Sequence, residues 1–451
     1  MDSKLKVSLA ACLLSVVLSA AGTTQPAGMA QAAGATPAAQ PSCKTTGLYP
    51  NDQEAGDGFG YSVAVDGQTA IVGIPYFSTA FVTPPVPPPY ISGRVAVFTC
   101  DAGTQAWTRT GTIQLSAADA GNQYAFGLSA ALQGDLAVIG ANNNVRVFQR
   151  RGQNWTEVVK LLPENSQTGI IGTPADQWGS VIAFDDHVLA LGVTEITSTP
   201  GPGGIGFVTS SAFYVDVYQI LAFDGHGLAI RIARLKPPVG DTGVFGASLA
   251  LNGETLVVGD PPGTSAYVYK RRGVTFRLEQ KITGAEATTA SEFGSAVAIS
   301  KGVILIGAPG ESPVPGGFGV NSEGAAYAFR HKSGPDSPWV ETQHFSPVSL
   351  GYGGPYAYFG GTLAVNHNGL AVIATSRSYD AETNSQFGPT FLYTLQGGQF
   401  VPVPQENNLS GGPSTYLGIT DEYLISGSVF YEYGYQISGA GITNLTAVPT
   451  N

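Results

Sequence analysis

Five times in this chain an aromatic–glycine pair is followed, 13 residues after its glycine, by a second glycine that closes an apolar stretch. The pairs are Phe59-Gly60, Phe126-Gly127, Trp178-Gly179, Phe245-Gly246 and Phe293-Gly294, and the closing glycines are Gly73, Gly140, Gly192, Gly259 and Gly307. Between the two glycines the text has one form: an alternating strand, a tight turn, then an apolar strand. In the first copy these are YSVAV, the turn at Asp66-Gly67, and TAIVG. A spacing held this strictly means that one supersecondary unit is built repeatedly.

Two further copies depart from the pattern in readable ways. Phe359-Gly360 opens a sixth with one extra residue in its turn, between Asn366 and Gly369, so Ala374 stands where glycine is expected. In a seventh, Pro413-Ser414 replaces the anchor and YLGITDEYLISG ends at Gly427. The mean spacing of the seven starts is 59 residues, and seven such units account for 413 of the 451 residues.

After each closing glycine comes an aromatic-rich strand: Arg94–Phe98, Val145–Phe148, Ala212–Gln219, Ala266–Lys270, Ala325–Arg330, Thr390–Leu395 and roughly Glu432–Ile437. A more polar strand follows, often opening on a large aromatic (Trp107, Trp155, Phe276, Trp339, Phe400), with Leu228–Leu235 in the third unit. We label the four strands A to D. A four-stranded antiparallel meander repeated seven times predicts an all-β, seven-bladed β-propeller. Leu48-Tyr49-Pro50-Asn51 resembles Leu161-Leu162-Pro163-Glu164 before the third anchor, so Cys43–Tyr49 is expected to be a D strand that completes the last blade. Ile442–Val448 is the rival for that place.

The phrases FGYSVAVDGQTAIVGIP, FGASLALNGETLVVGDP and FGSAVAISKGVILIGAP resemble FG-GAP repeats, the units of integrin α-chain heads and of many secreted bacterial proteins. The resemblance covers about residues 45–440. It implies a propeller that engages partners through one face. Some integrin repeats carry an Asp-x-Asp-x-Asp-Gly calcium loop between strands A and B. Here those connections are tight turns: Asp66-Gly67, Gln133-Gly134, Asp185-Asp186, Asn252-Gly253 and Lys301-Gly302. Calcium takes about six to eight oxygen ligands, so calcium sites of that kind, and cofactors or metals generally, are not expected.

Composition bounds the rest. Only 12% of residues are Asp, Glu, Lys or Arg, about half of the usual 25%, while 60 glycines and 30 prolines suit many short strands and turns. A net charge of −11 with dispersed Lys and Arg disfavours nucleic acid as a partner. Residues 1–21 have a secretory pattern: Lys4 and Lys6, apolar Val7 to Leu18, then small residues. Residues 22–42 have linker composition, and 43–451 form the propeller. The expected location is outside the cell, in the periplasm or in the cell envelope. Leu9-Ala10-Ala11-Cys12 leaves lipidation as an alternative. Cys43 and Cys100 remain in the exported chain, enough for one disulfide or two free thiols.

In such blades the B–C and D–A connections share one face. That face carries the long segments Ile74–Gly93, Val193–Ser211, Ala308–Gly324 and Thr375–Pro389. Candidate binding residues there are Tyr76, Tyr90, Tyr124, Phe207, Phe318, Tyr356 and Tyr379, whose rings could stack on sugars or grip a protein; the competing reading is that they bury one another. The twelve anchor residues, Phe59, Gly60, Phe126, Gly127, Trp178, Gly179, Phe245, Gly246, Phe293, Gly294, Phe359 and Gly360, are read as structural. His187, His226, His331, His344 and His367 are placed away from the loop-rich face, without metal-ligand spacing. Asp176, Asp241 and Glu292 precede three adjacent anchors and would be the acids of a hydrolase or lyase at the axial mouth, against solvated loop acids as the plainer reading. The expected function is therefore a monomeric binding or adhesion propeller for a protein or glycan. A hydrolase or lyase, or a structural part of a larger assembly, are the alternatives.

Overall fold

A computed structural model of the chain describes residues 43, 46–48, 58–75, 93–116, 119, 125–142, 144–163, 178–200, 207–241, 243–261, 263–312, 323–334, 336–347, 358–375, 379–380, 385–386, 390–403, 416–428, 431–432, 435–436 and 442–447. The segments expected to be the signal and the linker lie outside them, as does Pro413-Ser414.

The first strand, β1 (Thr46–Leu48), belongs to a sheet completed only at the other end of the chain. Blade one runs β2 (Val63–Asp66), β3 (Thr69–Ile74), β4 (Arg94–Asp101), β5 (Ala106–Ile113) in spatial order. Blade two follows as β6 (Ser129–Gln133), β7 (Leu136–Ala141), β8 (Asn144–Arg151), β9 (Asn154–Leu161). Blade three is β10 (Trp178–Asp185), β11 (Val188–Pro200), β12 (Phe207–Phe223), β13 (His226–Leu235). Blade four is β14 (Ser248–Asn252), β15 (Thr255–Asp260), β16 (Ser265–Arg272), β17 (Thr275–Ile282). Blade five is β18 (Ala296–Ser300), β19 (Val303–Ala308), β20 (Ala325–His331), β21 (Trp339–Phe345). Blade six is β22 (Phe359–Val365) and β23 (Leu370–Thr375), then, past the short hairpin β24 (Tyr379–Asp380) and β25 (Ser385–Gln386), β26 (Thr390–Gln396) and β27 (Gln399–Pro402). These six blades are each contiguous in the chain. A further, composite sheet joins β28 (Tyr416–Ile419) and β29 (Tyr423–Ser428), passes the hairpin β30 (Tyr431–Glu432) and β31 (Tyr435–Gln436), and continues with β32 (Ile442–Ala447), which pairs with β1. Every pairing between the strands of a sheet is antiparallel, so the fold is an all-β propeller of four-stranded antiparallel blades.

The 13-residue interval has a local cause. The anchor glycine's N–H donates to the closing glycine's carbonyl: Gly60 to Gly73 at 3.1 Å, Gly127 to Gly140 at 3.0 Å, Gly246 to Gly259 and Gly294 to Gly307 at 2.9 Å. This bond fixes the length of the A–B hairpin. The anchor glycines have φ between 85° and 100° (Gly60, Gly127, Gly246, Gly294, Gly360), a region that side chains other than glycine rarely adopt. The closing glycines meet a second demand. A Cβ on Gly73, Gly192, Gly259, Gly307 or Gly427 would overlap or crowd the anchor carbonyl of the following blade, at Gly127, Gly246, Gly294, Gly360 and Gly60 respectively. One glycine thus shapes each hairpin, and the other lets neighbouring hairpins approach.

The aromatic half of each anchor is core. Phe59, Phe126, Phe245, Phe293 and Phe359 are buried and meet rings of their own C strands, with Phe126–Phe148 at 5.9 Å, Phe293–Tyr327 at 5.3 Å and Phe359–Phe391 at 5.4 Å. Such packing of edges on faces holds the large rings without a void. Trp178 and Gly179 open β10; the tryptophan side chain lies outside the described residues.

Two sequence expectations are corrected. The segment 193–211 is not a loop for most of its length: β11 and β12 continue as a hairpin paired from Val188↔Gln219 to Pro200↔Phe207. The C strand of the composite sheet is β32, not Glu432–Ile437, which holds only β30 and β31. Ile442–Ala447 is therefore the C strand, and the D strand beside it comes from the N-terminus, as expected, Thr46↔Leu445 to Leu48↔Thr443. Cys43, just before β1, forms a disulfide with Cys100 on β4 of blade one, with Cα atoms 6.1 Å apart. The Cys43 N–H donates to the Tyr423 hydroxyl at 2.7 Å, and Tyr423 packs edge-on against Trp107 at 5.2 Å.

Candidate functional site: a polar layer beneath the loop-rich face

The A–B turns do structural work. Asp66 accepts the N–H of Gly134 and Asp185 accepts that of Gly253, each at 2.6 Å, while Gln133 bonds Asp185 and the N–H of Asp186. Their polar groups bridge adjacent blades at that end of the propeller.

The other end is organised differently. In blades two to five, the C-strand residue just past the one opposite the closing glycine is polar or aromatic: Arg146, Asp216, Tyr267 and Tyr327. Its partners across to the D strand are Lys160, Arg234, Lys281 and His344. The same register position therefore presents a basic side chain in four consecutive blades; Lys160, Lys281 and His344 meet acids on the connections of the loop-rich face, and Arg234 meets Asp216 and Glu195 on the strands of blade three.

In blade two, Arg146 is wholly buried and its Nη1 donates to both oxygens of Glu157 at 2.8 Å and to Asp119 at 3.4 Å. Lys160 Nζ reaches Asp119 at 2.7 Å. The bonds from Lys160 and then Arg146 hold the Asp119 carboxyl down at about 2. In blade three, Arg234 grips the buried Asp216 with two bonds of 2.7 Å, reaches Glu195 at 3.1 Å, and lies 5.1 Å over the Tyr214 ring. Such a fork of two parallel bonds is among the stronger ion pairs.

In blade four, Lys281 Nζ lies 3.2 Å from Asp241 on the D–A connection and 5.4 Å from the Tyr267 ring. Next to them Asp260 is wholly buried, and burial, reinforced by the charge of Asp241, pushes its carboxyl up to about 6.

In blade five, His344 Nε2 and Glu311 Oε1 are 2.9 Å apart, His344 Nδ1 is 3.8 Å from Glu286, and the Tyr327 hydroxyl donates to Glu311 at 2.5 Å. The bond to Glu311 raises the His344 pKa, with help from the charges of Glu286 and Glu341 and against the effect of burial. Burial and Glu311 also raise that of Tyr327. One ligand atom each from Glu286, Glu311 and His344 lie within 4.8 Å of one another, a spacing that a metal ion could bridge. This corrects the placement of His344: it stands at the far end of its D strand, at the loop-rich face, next to a B–C acid.

The aromatic candidates cannot be placed in this layer. Tyr76, Tyr90, Tyr124, Phe318 and Tyr356 lie outside the described residues; Phe207 begins β12 and Tyr379 begins β24, with side chains outside them. Of the three axial acids, Asp176 is also outside, Asp241 is held by Lys281, and Glu292 caps a short 3-10 turn, Thr289–Ser291, with φ 54°. Sequence reasoning missed Asp260 and the Tyr327–Glu311–His344 group. The signal was present: the residue after the closing glycine is Ile74, Ala141, Val193 and Ala308 in other blades, and Asp260 in blade four.

The architecture is that of a β-propeller whose polar pairs are concentrated under one face. Two stretches of the chain, residues 44–79 and 276–329, match the FG-GAP repeat family, which supports the resemblance. Comparison with curated proteins finds no match. Among solved structures the chain is similar to Sqt1 of Saccharomyces cerevisiae, at 11% identity over 91% of this chain and 100% of that one, with a TM-score of 0.45. It is also similar to a protein from Bacteroides uniformis described as a putative 6-phosphogluconolactonase, at 10% identity over 79% of this chain and 87% of that one, with a TM-score of 0.49. Likeness at these values says nothing about activity. Among the described residues no helix is long and apolar enough to cross a membrane.

Proposed function

We propose that this chain is an exported, monomeric binding propeller of seven blades that recognises a protein or a glycan through the face made by its B–C and D–A connections. The blade count is supported by the A strands, which touch in the order β2, β6, β10, β14, β18, β22, β28 and back to β2. The observation that carries the binding role is the polar layer. Lys160, Arg234, Lys281 and His344 each hold an acid of that face's connections (Asp119, Glu195, Asp241, Glu311), or one beside it, on a rigid sheet. Connections fixed on a stiff scaffold are where recognition concentrates, and FG-GAP propellers as a class are binding scaffolds. Export rests on the pattern of residues 1–21.

The test is to present the exported chain to glycan and protein arrays, then compare two sets of variants on any hit. Alanine at Tyr90, Tyr124 or Tyr356 should weaken binding at least tenfold, whereas changes in the A–B turns at Gln133 or Asn252 should not. Loss of binding from the turn variants alone, in chains that still fold, would move the site to the other face and sink this reading. Fractionation of cells expressing the chain with and without residues 1–21 checks export.

A further inference from the structure

Blade five differs from its neighbours at the basic register position of the polar layer. Lys160, Arg234 and Lys281 are fixed cations that neutralise the acids beside them, whereas blade five has His344 there. Three carboxylates act on it. Glu311 Oε1 lies 2.9 Å from Nε2, Glu286 Oε2 lies 3.8 Å from Nδ1, and Glu341 adds a third negative charge. Among the described residues, the charges acting on this imidazole are all carboxylates, with no lysine or arginine. The group therefore carries excess negative charge. Its one basic member can give up a proton and offer a lone pair, which an ammonium or guanidinium does not do at neutral pH.

The acids and the imidazole sit on three elements whose backbones are pinned. Glu286 is on the D–A connection between β17 and β18. Its neighbour Ala285 donates its N–H to Glu341 Oε2 at 2.9 Å, and a Cβ on Gly284 would crowd the rings of Phe293 and Tyr327, so this connection lies close against blade five. Glu311 is on the B–C connection. Its N–H donates to the Ala308 carbonyl and its carbonyl accepts the Gly324 N–H, each at 3.0 Å. Glu311 Oε2 accepts the hydroxyl of the buried Tyr327, which leaves Oε1 turned to the imidazole. His344 stands near the end of β21, with the Tyr327 ring packed on it at 4.7 Å.

We propose that Glu286, Glu311 and His344 form a site for a transition-metal dication, zinc ahead of manganese. One ligand atom from each lies within 4.8 Å of the others. Ligands that share a tetrahedral zinc stand about 3.3 Å apart, given bonds of about 2.0–2.1 Å. Glu311 and His344 are near that spacing, and Glu286, with 69% of its side chain exposed, is the arm that closes on the ion. The metal takes the place of the imidazole proton. A nitrogen among the donors favours zinc over calcium and magnesium, which take oxygen ligands. Tyr327 on Glu311, and Glu341 on the strand of chain that carries Glu286, are outer partners of the kind that orient metal ligands. Three protein ligands leave a fourth position for water or for an oxygen of a bound molecule. The site lies at the opposite end of the blade from the A–B turns, and it stands whatever that face recognises.

The test uses the full exported chain without a histidine tag, stripped of metal with a chelator and titrated by calorimetry with zinc, manganese and calcium separately. Cobalt(II), whose visible spectrum reports its ligands and geometry, is a second probe. Zinc should bind at one ion per chain and at least about tenfold more tightly than calcium. Loss of an outer partner costs about 10–100-fold in metal affinity, so Y327F should fall in that range, and E286Q and H344Q, which remove ligands, should lose no less. E254Q, at an exposed A–B turn, should bind as the unmodified chain does. The visible band of bound cobalt should disappear in H344Q. Failure of both zinc and manganese to bind the unmodified chain overturns the proposal. So does undiminished zinc binding by folded E286Q and H344Q, which would place the ion on other side chains. Calcium binding more tightly than zinc would exclude the nitrogen ligand and equally overturn it.

Discussion

Gly427 packs against the carbonyl of Gly60, which puts the last closing glycine of the chain on its first anchor. The same contact joins Gly73 to Gly127 and Gly307 to Gly360, so one geometry operates within the contiguous blades and across the two ends of the chain.

That contact leaves no room for a methyl group, because the opposing atom is backbone and cannot turn aside. Gly73→Ala, Gly307→Ala and Gly427→Ala should each destabilise by about 1–3 kcal/mol, the usual cost of overpacking. Denaturant unfolding monitored by tryptophan fluorescence would measure it. Unchanged stability in all three would mean that the blades can separate freely.

The disulfide between Cys43 and Cys100 should matter chiefly for holding β1 in place. A Cys43→Ser, Cys100→Ser double variant should lose about 2–5 kcal/mol, and reductant should lower the unfolding temperature of the parent but not of the variant. Tyr423→Phe, which removes the acceptor of the Cys43 N–H, should give a smaller loss in the same direction.

Arg146 has no exposure and three acidic oxygens on its Nη1. Truncating it leaves Glu157 and Asp119 facing a void, so Arg146→Ala should cost about 3–5 kcal/mol, typical of breaking a buried ion pair. Arg146→Lys should recover part of this. Equal stability of both variants with the parent, by thermal unfolding, would contradict the role given to the pair.

His344 gives a pH dependence whose sign is set by its raised pKa. Its protonated form is favoured in the folded state, so the contribution to stability is complete below the ordinary histidine value of about 6.5. It fades as pH rises through the folded-state value above that. Glu311, Glu286 and Glu341 are the charges acting on it, and Tyr327 stacks on it at 4.7 Å. NMR titration of the imidazole should show the elevated midpoint, and Glu311→Gln should bring it down. A His344 midpoint at or below the ordinary value would refute the arrangement.

How much of this was legible follows from where the constraints lie. The anchor-to-closing interval was readable because a backbone hydrogen bond fixes hairpin length and backbone contact demands glycine; both leave a mark at defined positions. The C strand of the composite sheet was misplaced because Tyr431, Tyr433 and Tyr435 match the aromatic signature of other C strands more closely than Ile442–Ala447 does. The long hairpin of blade three was hidden by the Pro200-Gly201-Pro202-Gly203-Gly204 run, which reads as loop although its flanks are β-branched. The polar layer was missed because it depends on strand register. The C–D pairs of blades one to five carry a bulge at one recurrent place, between Val97 and Phe98, Val147 and Phe148, Val217 and Tyr218, Val268 and Tyr269, or Ala328 and Phe329. Without that bulge in the count, His344 cannot be assigned to an end of its blade.

The composite sheet also sets an order of events during synthesis. Its D strand, β1, leaves the ribosome before any blade exists, while β32, its only pairing partner among the described strands, is made last. No chain that stops short of β32 can finish that sheet, so the ring stays unsealed until β32 has been made. Cys43 and Cys100, by contrast, emerge close together and early, and their bond can moor the waiting strand to blade one throughout. The disulfide is thus a placeholder for a neighbour that has not yet been made.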